Sequence, residues 1–257
     1  MSAIPVIEVE HLVTRYGATP IHEDINLTIN RGEVFAIAGE SGCGKSTLLR
    51  ELVMLQPFHA GRVRILGEDI ARIGEHAAAR LRQRWAMMFQ GGALFSGLTV
   101  AENVALPLQE HTDLSATDIA ELVQIKIALA GLPADAVWKY PRELSGGLRK
   151  RAALARAIAL DPELLFLDEP SAGLDPLAAS ALDDLVLSLK ESLQLTIVIV
   201  THDLDLLWRV TDRVAILGER RVVGLGTMPE LAASQHPVVR EYFHGPRGRV
   251  LQEQYGS

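Results

Sequence analysis

Apolar and polar positions alternate at Val6 to Val9 and again around Asn26 to Ile29, which predicts strands. The Arg31-Gly32 turn then leads into the unbroken apolar run Val34 to Ala38, the pattern of a buried strand. That run enters a glycine-rich loop, Gly39 to Gly44. Lys45 to Met54 follows as a helix, with Leu48, Leu49, Leu52 and Leu55 at helical spacing. Past Gly61, the strand-like segment Arg62 to Leu66 precedes an alanine- and arginine-rich helix through Arg84 and a short apolar run, Trp85 to Phe89. The texture then turns helical. Thr99 with Glu102 and Ser115 with Asp118 form capping-box patterns, the second helix ends near Gly131 and Pro133, and another helix follows Ser145. After Pro162 the β/α alternation returns, with Leu164 to Leu167 and Thr196 to Val200 as strands and Pro176 to Ser192 as a helix. The helical middle therefore reads as an insertion in an α/β core, and the chain shows no internal repeat and no low-complexity segment.

Composition narrows the setting. A chain of 257 residues with 48% hydrophobic content buries a full core as one large domain, alone or with an inserted subdomain. A net charge of -7 argues against nucleic acid as the main partner, since such proteins present a basic face. The single cysteine, Cys43, excludes an internal disulfide and a multi-cysteine zinc site, and points to a reducing compartment. Met1 to Val13 lacks the basic segment and apolar run of a secretory signal, and no stretch reaches the ~18 apolar residues that span a bilayer. A soluble, cytoplasmic chain is the expectation.

Three motifs carry chemistry. Gly39-Glu40-Ser41-Gly42-Cys43-Gly44-Lys45-Ser46 fits the phosphate-loop pattern between a strand and a helix. Its glycines let the backbone aim N–H groups at the β- and γ-phosphates of ATP. The helix N-terminus adds a favourable dipole, Lys45 supplies a point charge, and Ser46 can ligate Mg²⁺. The alternative is an ordinary glycine turn. Leu164 to Leu167 deliver Asp168 and Glu169 at the end of a buried strand. There Asp168 would hold Mg²⁺ through water, and Glu169 would orient and deprotonate an attacking water; otherwise the pair is a solvated loop. In Leu144-Ser145-Gly146-Gly147-Leu148-Arg149-Lys150-Arg151, two glycines open a basic helix, forming either a second anion site or a plain helix cap.

In order and spacing, Gly39 to Thr47, Gln90, Leu144 to Gly147, Leu164 to Glu169, Ser171 to Pro176 and His202 resemble the nucleotide-binding subunits of ABC transporters over nearly the whole chain. The resemblance implies an α/β phosphate-loop NTPase fold of ABC type, with a mixed-sheet core, a small antiparallel β subdomain and an inserted α-helical subdomain. In that arrangement 1–89 and 158–227 form the core, 90–157 the helical subdomain with the signature, and 228–257 a C-terminal extension. It also implies a head-to-tail homodimer sandwiching two ATP molecules, each between the phosphate loop of one subunit (Gly39, Glu40, Ser41, Gly42, Cys43, Gly44, Lys45, Ser46, Thr47) and Ser145, Gly146 and Gly147 of the other. By the same carry-over Tyr16 stacks on adenine, Gln90 senses the γ-phosphate and Mg²⁺, Asp175 links the two sites, and His202 contacts the γ-phosphate. Each has a plainer reading: Tyr16 as a packed aromatic, Gln90 as a loop residue, His202 as a helix cap before Asp203. Gln90 at the edge of the insertion would let a contact at the γ-phosphate swing it as a hinged body. Ala93, Leu94, Phe95 and Leu98 would either dock a helix of a membrane permease or fill the insertion's own core.

Leu148 stands where the usual signature has Gln. With Phe89 to Phe95 and the tail Tyr242-Phe243-His244-Gly245-Pro246, it makes the chain similar to the ATPases of Mla-type phospholipid transporters associated with MCE proteins. That resemblance implies an enzyme held on the inner face of a bacterial inner membrane by a permease, with an MCE-type lipid-binding protein and a small accessory subunit as further partners. It makes Val239 to Val250 either a dimer clasp or a disordered end. The competing readings are an importer ATPase for a small solute, an ABC-type ATPase of DNA repair, and a nucleotide-binding regulator without turnover. The chain lacks the long heptad insertion or zinc cysteines of the repair types, and Glu169 and His202 oppose the last.

Overall fold

The computed structural model describes residues 4–244. In chain order the elements are β1 (Pro5–Tyr16), β2 (Thr19–Asn30), β3 (Val34–Gly39), α1 (Lys45–Leu52), β4 (Ala60–Ile65), β5 (Glu68–Asp69), α2 (Glu75–Arg82), β6 (Trp85–Met88), α3 (Val100–His111), α4 (Ala116–Leu129), α5 (Gly146–Ala157), β7 (Leu164–Asp168), α6 (Pro176–Leu193), β8 (Thr196–Val200), α7 (Leu204–Val210), β9 (Arg213–Gly218), β10 (Arg221–Gly226), α8 (Met228–Ala232) and α9 (Pro237–His244). Two short 3₁₀ turns, Ala134–Trp138 and Pro141–Glu143, precede α5. The described residues form two compact units, 4–79 with 196–244, and 80–195. Among the described residues no helix is long and apolar enough to cross a membrane.

The first unit is built on a mixed sheet. β5, β4, β1 and β2 pair antiparallel, β10 joins β2 and β9, and β9, β3 and β8 run parallel. The long strands β1 and β2 alternate buried and exposed residues because one face meets the interior. β3 and β8 are buried throughout, which is why they read as unbroken apolar runs. The β9–β10 hairpin turns through Glu219 and Arg220, both with positive φ, at 49° and 63°. The helix after the glycine loop is shorter than its leucine spacing predicts. Val53 caps it, Met54 turns left-handed at φ 57°, and Leu55 ends up 62% exposed.

In the second unit β6 and β7 pair in parallel, with Trp85 opposite Leu164 and Met88 opposite Leu167. Both predicted capping boxes form: Glu102 and Asp118 each close back on the preceding cap residue. Helices α3, α4 and α5 share an apolar core that includes Val100, Val104, Val123, Ile127, Ala152 and Ala155. The loop ahead of α3 divides its apolar residues. Leu94 packs on that core, whereas Phe95 is 54% exposed with the Arg156 guanidinium 5.9 Å over its ring. Fully buried Asn103 fixes this division: its amide donates to the carbonyls of Phe95, Leu98 and Thr99, and its side-chain oxygen accepts from Phe95 N–H. Of the predicted tail, Val239 and Phe243 are buried, and residues beyond His244 lie outside the described part.

Candidate functional site

In the first unit β3 runs into the glycine loop at its carboxyl end, where open parallel sheets place their ligand sites. Gly39 admits no side chain, since a Cβ there would stand 2.4 Å from the carbonyl oxygen of Leu217. Glu40, Ser41 and Gly42 are exposed, and Cys43 is half-buried. Lys45, only 9% exposed, folds back so that its ammonium donates to the carbonyls of Gly39 (2.8 Å) and Glu40 (2.7 Å), which puts a positive charge inside the loop. Gly44 caps α1 at φ 103° with no side-chain cap bond, so the first-turn N–H groups keep their donors for an anion. Ser46 lies exposed in that first turn and Thr47 is buried.

A polar cluster supports the loop from below. Thr14 and His22 are cross-strand partners on β1 and β2, and with Glu51 of α1 they are wholly buried. The Thr14 hydroxyl donates to Glu51 Oε1 at 2.6 Å, and His22 Nδ1 lies 3.0 Å from the Thr14 oxygen. The other edge of the imidazole lies against Gly44, where a Cβ would come within 2.5 Å of Nε2. Tyr16 is half exposed; its hydroxyl donates to Gln56 at 2.7 Å and lies 3.4 Å from the Thr47 hydroxyl, so its ring stands beside α1 and is not packed away. His202 follows β8, whose Val200 pairs with Ile37 of β3, so it leaves the sheet at the same end as the loop. It is exposed, and the capping of α7 falls to Asp203, which accepts from the N–H of Asp205.

The second unit gathers the remaining residues. Gln90 and Glu169 follow the paired ends of the parallel strands β6 and β7, and Asp168 closes β7. Glu169 has φ 47°, a left-handed conformation uncommon outside glycine. Ser145 is exposed and caps α5 by accepting from the N–H of Leu148 at 3.3 Å. Gly146 and Gly147 pack against α6 and its entry: Cβ atoms there would stand 3.3 Å from Leu174 and 3.6 Å from Ala178. Asp175 caps α6, accepting from Ala178 N–H at 2.9 Å. Leu148, in place of the usual polar residue, packs on the helical core.

Sequence reasoning missed Lys150. It is 7% exposed, and its ammonium donates to the carbonyls of Gln90 (2.5 Å) and Glu169 (3.2 Å). Burial pushes its pKa below the ordinary lysine value, while the carboxylates of Glu169 and Asp168 pull it back up. A lysine in a helix rich in arginine reads as solvated, so no pattern in the chain marks it. The Thr14, His22 and Glu51 cluster is likewise invisible along the sequence, because strand pairing and helix packing bring it together.

Residues 22–172 match the family pattern described as ABC transporter. Over 240 residues the chain is 39% identical to the intermembrane phospholipid transport system ATP-binding protein MlaF of Haemophilus influenzae, covering 93% of this chain and 90% of that one. It is also 39% identical over 241 residues to the probable ribonucleotide transport ATP-binding protein mkl of Mycobacterium tuberculosis, covering 94% of this chain and 67% of the relative. Among solved structures, the dimeric post-hydrolysis state of the ATP-binding cassette MJ0796 bound to ADP and Pi superposes with a TM-score of 0.78 at 27% identity, covering 86% of this chain and 98% of that chain.

Proposed function

Because this chain belongs to the ABC transporter family of ATP-binding subunits, we propose that it is the motor of a phospholipid transporter, hydrolysing ATP to ADP and phosphate as a head-to-tail homodimer. The observation that carries the chemistry is the loop itself, with the Lys45 charge held inside it and the first-turn amides of α1 left without a side-chain cap. The likeness to MlaF proteins, 39% and 40% identical over most of the chain, supports the lipid cargo. The dimeric neighbour bound to ADP and Pi supports the assembly.

In this reading Tyr16 stacks on adenine, Gly39 to Thr47 hold the phosphates, and Ser145, Gly146 and Gly147 close on the nucleotide of the partner subunit. Glu169 polarises the attacking water, while His202 and Gln90 contact the γ-phosphate and Asp175 links the two sites. Residues 1–89 and 158–227 form the nucleotide-binding core, 90–157 the arm bearing the signature, and 228–257 an extension. In the same reading the Ser46 hydroxyl, the Gln90 side-chain oxygen and the Asp168 carboxylate would serve Mg²⁺, since all three offer the oxygen donors that suit an ion held largely by phosphates and water. When bound, that ion neutralises charge on the transferred phosphoryl group.

Exposed Phe95 offers an apolar contact to a permease that would hold the chain at the inner face of the membrane. Affinity purification from membranes should bring down a permease and an MCE-type lipid-binding protein carrying phospholipid, with ATPase activity that responds to phospholipid. A complex that holds no lipid and instead moves a ribonucleotide or another small solute would replace the lipid reading with the importer one.

Cys43 provides a direct probe of the loop. Cys43 is half-buried, with the Lys45 ammonium 3.9 Å from its sulfur, so ATP with Mg²⁺ should slow alkylation by a maleimide about 10-fold or more. Equal labelling rates with and without nucleotide would exclude the loop as the binding site.

A further inference from the structure

The Lys150 contact joins three parts of the second unit. The signature cap Ser145 begins α5, and Lys150 lies about one and a half turns further along the same helix. Its ammonium bridges the carbonyls that follow the paired ends of β6 and β7, those of Gln90 and Glu169. Both carbonyls lie past the last ladder partner of their strands, where the ladder supplies no donor. Supplying the Gln90 carbonyl with a donor, and the Glu169 carbonyl with a second one beside the Ala172 N–H that it already accepts from at 3.2 Å, is the plain structural reading. It does not explain why the donor sits on the signature helix or why the two acceptors belong to the residues assigned to the γ-phosphate and the attacking water.

The backbone of Glu169 supplies the physical link. At φ 47° it occupies a region unfavourable for a residue with a side chain, and two donors hold its carbonyl in place, the Ala172 N–H within the turn and the Lys150 ammonium from α5, each at 3.2 Å. A charged hydrogen bond to its own carbonyl is of the same order as the penalty of one such residue. The direction of the Glu169 carboxylate therefore depends on where α5 carries Lys150.

We propose that Lys150 is a positioning residue for hydrolysis, tying the backbone of Glu169 and Gln90 to the signature helix so that the Glu169 carboxylate is aimed at water only while that helix is seated. The inference rests on Glu169 as the water-polarising carboxylate.

Lys150→Met keeps the stem and its burial and removes the donors. In the full chain it should lower kcat about 10-fold while nucleotide Kd and KM stay within about two-fold. Lys150→Arg can reach both carbonyls again and should recover most of the loss. Added to Glu169→Gln, Lys150→Met should reduce single-turnover hydrolysis no further, because groups acting in one step are not additive. A purely structural lysine would instead lower thermal stability, leave turnover per folded molecule unchanged, and multiply with Glu169→Gln. A kcat within two-fold of the parent, or a multiplicative loss in the double variant, overturns the proposal; if Lys150→Met does not fold, Lys150→Gln runs the same cycle. Near-normal turnover by Glu169→Gln would remove the underlying reading. A silent Lys150→Met beside an inactive Glu169→Gln would remove only the role of Lys150.

Discussion

Glu169→Gln is expected to cut ATP turnover at least ~100-fold while ATP still binds, with the protein accumulating as an ATP-bound dimer. The change is nearly isosteric and leaves the backbone alone. The bond from Lys150 goes to the Glu169 carbonyl and so survives the substitution. What disappears, in the proposed reading, is the charge that would draw a proton from the attacking water, and hydrolysis has little other covalent chemistry for the protein to supply. Phosphate release measured beside sedimentation in ATP separates the two effects. Hydrolysis near the wild-type rate would show that another group activates the water.

Mixing two inactive variants should restore activity. Lys45→Ala removes the charge held inside the loop, and Ser145→Arg fills the exposed signature end of α5, so each homodimer loses both sites. A mixed dimer brings both lesions to one site and leaves the other intact. Random mixing should therefore recover roughly a quarter of wild-type turnover, since half the dimers are mixed and each holds one working site. Losing the Ser145 cap costs about 1 kcal/mol of helix stability, too little to unfold a domain of this size. A mixture as inactive as its components would argue against a site shared between subunits.

Much of this was legible along the chain because the signals are local. The capping boxes at Thr99 and Ser115 and the unbroken apolar runs of β3, β7 and β8 each express the backbone they build within a few residues. The glycine loop is equally local, and the structure adds a second reason for its glycines: the Leu217 carbonyl crowds Gly39 and the His22 ring crowds Gly44. The hairpin β9–β10 escaped because its turn, Glu219-Arg220, lacks the usual asparagine or glycine. The leucines after Lys45 overstated their helix because spacing alone does not mark where a chain turns left-handed, as it does at Met54.

What the residues determined by themselves is the order of strands and helices, the caps, and the presence of a phosphate loop, a carboxylate pair and a serine-glycine signature. All of these depend on neighbours in the chain or on short-range sterics. Tertiary structure alone decided which polar groups are removed from water. Leu94 turns in and Phe95 out because Asn103 holds the loop between them. Glu51 is buried because Thr14 meets it from another element. Lys150 is a buried clamp and not a solvated charge because two strand ends deliver their carbonyls to it. Desolvation depends on the sum of everything packed around a group, and that sum is not written in any local pattern.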